Sequence, residues 1–190
     1  MNITEFSVGL GTHRSLNKEY DLNSLDFQIR FLASIKPLDE FILGGASFKY
    51  LTFDGTRAIA PLSGQVGGSE GEFTLLGGIK LSLFKDALIM IILGYGTVMG
   101  NMGVALRNSS FCPDIASILA NPDIIASALQ CQLAESSGFY RGNPITLDLS
   151  LVYQNFHLGI YGRFLDVHKD RRQTLPDELI SGGIKTGFLF

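Results

Sequence analysis

Long apolar runs are missing from this chain. The longest nearly apolar stretch, Ala87 to Gly100, contains three glycines and falls short of the ~20 residues that a membrane-spanning helix needs. Charge is also scarce: 17% of residues are Asp, Glu, Lys or Arg, against roughly 25% in an average soluble domain. With a net charge of −3, no strongly basic face points to nucleic acid. Tryptophan is absent. Two cysteines, Cys112 and Cys131, are too few for a structural zinc site. They suffice for one disulfide, which fits an oxidising compartment, or they are two free buried thiols. No carboxylate run resembles a calcium loop, and no glycine motif follows a strand and opens a helix to cradle a phosphate. Neither metal nor cofactor is expected. Strand-like alternation starts within a few residues of Met1, so the chain reads as a mature region with no signal peptide ahead of it.

What is abundant is glycine, 22 residues, and phenylalanine, 14 residues, set in a repeated alternation. Residues 1–190 suffice for a single domain. Period-2 patterning appears in eight segments. The first sets Thr4, Phe6, Val8 and Leu10 against Glu5, Ser7, Gly9 and Gly11. The second sets Leu25, Phe27, Ile29, Phe31, Ala33 and Ile35 against Asp26, Gln28, Arg30 and Ser34. A third, about residues 41–53, sets Ile42, Ala46, Phe48 and Tyr50 against Gly45, Ser47 and Lys49. The fourth, FTLLGGIKLSL, and the fifth, from Ala87, follow; the fifth is apolar on both faces near its start. The last three are ITLDLSLVY, FHLGIYGRF and LISGGIKTGFLF. The six prolines are expected between these segments or at their edges, because proline cannot donate to a ladder.

Connections alternate in length. RSLNKEYDLNS, the Gly-rich DGTRAIAPLSGQVGGSEGE, a stretch of more than 40 residues after strand five, and VHKDRRQTLPDE are long. KPLDE, FKD and QN are short. All short turns therefore lie at one end of the sheet. A soluble sandwich or a lipocalin-like barrel would also alternate, but with a water-facing surface rich in long polar side chains. Here the polar face is mostly Gly and Ser with isolated charges: Glu5, Asp26 and Asp148 against Arg30, Lys49, Lys80, Arg163 and Lys185. A narrow lumen demands that mixture, since an eight-stranded barrel is only wide enough for side chains to fill. Segments of about 9 to 12 residues also match the ~9–11 of a tilted strand that crosses a bilayer. Phe41, Tyr153, Phe156 and Phe190 fall at the short-turn end, and Phe48, Tyr50, Phe73, Tyr95 and Phe164 nearer the loop end; these could form two aromatic girdles. The expected fold is all-β, an eight-stranded antiparallel up-and-down transmembrane barrel with short helices in its third long loop.

On that pattern the chain resembles the small eight-stranded bacterial outer-membrane proteins, the group that includes the OmpA membrane domain, OmpX and OmpW. No motif of one member supports the likeness. Its most specific element is the ending: Ile184, Phe188 and Phe190 match a last strand whose terminal aromatic is associated with recognition by the outer-membrane insertion machinery. The resemblance implies a bacterial outer-membrane location, short turns in the periplasm and long loops outside the cell. It implies outer-membrane lipid, lipopolysaccharide and the insertion machinery as partners, with no nucleic acid, and a monomer.

The third long loop holds an imperfect repeat, PDIASILA and PDIIASAL. Each copy opens with Pro then Asp, which suits the first turn of a helix. Two short helices tied by Cys112 and Cys131 are predicted; their apolar residues cap the barrel mouth, pack on each other, or contact lipid or a ligand. A rim hydrolase would draw on His13, His168, Ser181 and Glu178, a Ser, His and carboxylate set. The apolar lumen face of strand five, Leu88, Met90 and Ile92, suggests instead a narrow, porin-like channel for small or apolar solutes. The leading reading is a barrel with a side-chain-filled lumen and a structural or surface-interaction role.

Overall fold

The alternation closes into a barrel because every strand buries one side in a shared interior. In the computed structural model, residues 2–16, 19–34, 41–59, 62–108, 132–168 and 176–190 are described. They form β1 (Asn2–Ser15), β2 (Tyr20–Ser34), β3 (Ile42–Ile59), β4 (Leu62–Phe84), β5 (Ala87–Asn108), β6 (Gln132–Tyr153), β7 (Phe156–His168) and β8 (Glu178–Leu189). Each strand pairs antiparallel with the next, and β8 pairs with β1. Closure leaves no sheet edge within the apolar belt, the condition for crossing hydrocarbon with strands.

The register fixes the barrel's width. Hydrogen-bonded neighbours lead once round from Ile3 through Leu32, Gly45, Leu76, Gly94, Thr146, Arg163 and Ser181, and return to β1 at His13. That offset is ten residues. With eight strands it sets a tilt of about 40° and a backbone radius of about 8 Å. Outward positions carry the exposed apolar residues, among them Phe6, Leu10, Phe27, Leu93, Leu147 and Ile184. On β6 the outward apolar run from Ile145 to Tyr153 rises about 20 Å along the axis at that tilt, close to the ~25 Å apolar band of outer-membrane barrels. The aromatic residues of both expected girdles that the structure describes, such as Tyr153 and Phe190 below and Tyr50 and Tyr95 above, point outward.

β2 starts at Tyr20, five residues before its pattern, inside a stretch expected to be a long connection, and four strands run further still. β3 to β6 have 18, 23, 22 and 22 residues, against 14, 15, 13 and 12 for β1, β2, β7 and β8. The Gly-rich stretch expected to be a loop is the end of β3 and the start of β4, joined by residues 60–61. The break between β5 and β6 is 109–131, not more than 40 residues. The physical reason is the change of solvent: above the apolar belt the outward face meets water, so Asp54, Gln65, Ser69 and Asn101 replace the apolar half of the pattern. Pro144 also lies inside β6, not at its edge. It has no N–H to give, and the neighbouring Asn143 side-chain amide donates to the Gly96 carbonyl at 3.0 Å instead. The two short helices, Cys112 and Cys131 fall outside the described residues.

Candidate functional site

The lumen is filled in three layers. At the short-turn end Ile3, Leu32, Leu43, Met90, Ile92 and Val152 form a buried apolar cluster, with Leu88 packed against it. At the loop end a second cluster includes Tyr20, Leu22, Leu51, Phe53, Met102 and Leu165. Between them lie the charges.

The lower charged group joins four strands. Arg30 reaches Glu5 at 3.1 Å and Asp148 at 2.7 Å. Lys185 pairs with Glu5 at 3.3 Å and also with Asp148. Ser150 donates to Asp148 at 2.7 Å and Ser7 to Glu5 at 3.2 Å. His157 lies below, its Nε2 3.4 Å from Glu5. In the upper group Arg163 meets Glu70, and its Nε lies 2.8 Å from Glu72. Lys49 reaches Glu72 at 3.4 Å, and the Tyr140 hydroxyl donates to Glu70. Each group holds two cations and two carboxylates, so each balances its own charge. That balance is what makes burial tolerable, because an unpaired buried ion costs several kcal/mol. Asp26 takes a hydrogen bond of 2.7 Å from Tyr161, whose ring lies 5.5 Å from the Lys49 ammonium. A void of ≈ 20 Å³ lies between the groups, lined in part by Asp26, Arg30, Glu72 and Lys185. That is room for about one water.

Of the charges expected in the lumen, the structure brings Glu5, Arg30, Asp148 and Lys185 together below, and Lys49 and Arg163 above. Lys80 sits on the lumen side of β4, two inward positions nearer the turn than Leu76. Glu70 and Glu72 were missed, because they belong to the stretch expected to be a loop. Their signal is in the sequence: they continue the inward series of Thr74 at every second residue, with Phe73 and Gly71 between them on the outer face.

The four hydrolase candidates do not meet. His13 and Ser181 are register partners on β1 and β8, and both are buried in the lumen. Among the described residues neither His13 Nε2 nor Ser181 Oγ has a hydrogen-bond partner. His168 is exposed on the outer face, its Nδ1 3.9 Å from Asp166. Glu178 is three residues from Ser181 and therefore faces the other way, as strand alternation requires. The barrel wall separates the two halves of the set. Leu88, Met90 and Ile92, expected to line a channel, instead build the lower apolar layer.

No protein-family model matches the sequence, and no curated protein matches it. Solved structures do. The crystal structure of Neisserial surface protein A, NspA, aligns at a TM-score of 0.51 and 10% identity, covering 99% of this chain and 95% of its own. Ail, the attachment invasion locus protein of Yersinia pestis, solved in complex with the heparin analogue sucrose octasulfate, aligns at 0.50 and 11% identity over 100% and 99% of the two chains. The fold is that of the small eight-stranded outer-membrane barrels. The outer membrane enzyme PagL aligns over 95% of this chain at a TM-score of 0.45 and 8% identity, a likeness too loose to bear on activity.

Proposed function

We propose that this chain is an integral protein of the bacterial outer membrane whose lumen is a solid plug, and that it works at the cell surface through the end where β3 to β6 outlast their neighbours. The observation that carries the reading is the layered lumen: two self-neutral ionic groups closed off above and below by apolar clusters. Such an interior stiffens a pedestal and offers no water-filled path among the described residues. The apolar outer belt supports the membrane location. Two proteins that share the fold at a TM-score of 0.50 or above are named as a surface protein and an attachment protein, which supports a surface role.

Planar-bilayer recording tests the plug. Purified, refolded protein is expected to give no steady unitary currents at any applied potential. Reproducible single-channel steps would overturn the reading in favour of a narrow channel.

A further inference from the structure

We propose that the outer wall over β7, β8, β1, β2 and β3 holds an acyl chain of a membrane lipid in a preformed groove, distinct from the lipid that merely surrounds the barrel. The inference rests on the membrane reading above and names a ligand for one sector of the belt. The groove is open on its outer side and has a volume of ≈ 530 Å³. Its walls are Phe6, Phe27, Phe48, Tyr50, Phe156 and Phe188. Its floor is made of shorter side chains: Val8 and Thr186, directly opposite each other across the β1–β8 seam, and Ile29. The hollow therefore comes from β-branched residues set among aromatic ones.

The occupant follows from chemistry and position. Thr186 brings the one outward hydroxyl to this floor, and it donates to the His157 carbonyl at 3.1 Å. The floor thus offers no free polar group, and a polar or charged ligand would lose its hydration for nothing. The groove starts at Phe156, next to the Gln154–Asn155 turn, and ends at Tyr50, two outward positions before Asp54. It is continuous with the lipid-facing belt and ends where the belt ends, as an extended hydrocarbon tail lying along the barrel wall requires. The walls are also braced before any ligand arrives. Phe156 and Phe188 meet edge to face with centroids 6.0 Å apart, and Phe6 and Phe190 at 5.9 Å. Rigid walls reduce the ordering cost of binding.

The test uses the full chain in phosphatidylcholine vesicles, extracted into mild detergent and weighed by native mass spectrometry. The wild type is expected to retain a phosphatidylcholine molecule per barrel. Filling the floor with the pair Val8→Phe and Thr186→Phe removes contact worth roughly two methylenes and lowers occupancy about tenfold. Leu147→Phe, on the far wall of β6, leaves occupancy unchanged. Heat-shifted mobility on a detergent gel shows that each variant is folded. Absence of retained lipid in the wild type, or equal retention in the filled variant, overturns the proposal. So does a wild-type dimer that the filled variant abolishes, since a second copy would then be the occupant. The membrane reading is checked separately: the chain has no tryptophan, so Leu147→Trp gives a lone indole that acyl-brominated lipid must quench. An unquenched indole sinks the membrane reading and this one with it, whereas quenching without lipid retention sinks this one alone.

Discussion

Arg163 is the residue on which the upper half of the plug depends. It is buried, and it is the shared partner of Glu70 and Glu72 on β4. Lys49 can still serve Glu72 if the guanidinium is lost, but no described ion pair would be left to Glu70. Breaking a buried pair by removing one partner costs about 3–5 kcal/mol, much of it the penalty of an uncompensated charge. Arg163→Met is therefore expected to lower unfolding stability by that order, read as the denaturant midpoint of the heat-shifted band in vesicles. Adding Glu70→Gln to the same chain should recover most of the loss, because the amide needs no counter-ion and Lys49 and Glu72 still balance each other. If the double variant is as weak as the single one, the plug is held by shape and not by charge balance.

At the scale of the strand, the two faces set opposite rules for glycine. Gly96 faces inward on β5, and a Cβ there would fall on the carbonyl oxygen of Phe73. Gly77 faces outward on β4, and a Cβ there would meet nothing within 4 Å. Gly96→Ala should cost about 1–3 kcal/mol as overpacking, while Gly77→Ala should be neutral or stabilise by about 0.5–1 kcal/mol through the unfolded chain. Paired unfolding curves for the two variants check this; equal effects would mean that the inner wall has slack. The same asymmetry explains what was legible in the sequence. Lipid demands an apolar residue at every outward position, that is at every second residue, so the face of each strand could be read directly, as in Phe6, Val8 and Leu10 against Glu5, Ser7 and Gly9. Above the belt that demand lapses. There β3 to β6 continue on backbone pairing alone, their ends could not be read, and Glu70 and Glu72 were hidden with them. The apolar layer at the loop end of the lumen escaped for a different reason. Leu22, Leu51 and Phe53 sit on the inward face, which takes apolar residues as readily as polar ones that find a partner.

For the molecule as a whole, the deciding question is what solvent meets the outer wall at each height. β5 contains its own control. Leu93 and Met99 both point outward and both are 58% exposed, so a protein in water would treat a charge at either position alike. The register places Leu93 among Leu75, Leu147 and Tyr95, inside the belt. Met99 is six residues further along, opposite Gly71 and Arg141 and between Thr97 and Asn101, above it. In a bilayer an arginine at the midplane costs about 2–4 kcal/mol and one near the interface about 0–1. Leu93→Arg should therefore fold poorly into vesicles and unfold at a much lower denaturant concentration, while Met99→Arg should follow the wild type closely. The gap should close in thin-bilayer lipids, where water and headgroups come nearer to position 93. Equal stabilities for the two variants in thick and thin bilayers alike would remove the belt from contact with lipid, and with it both the plug's setting and the groove's ligand.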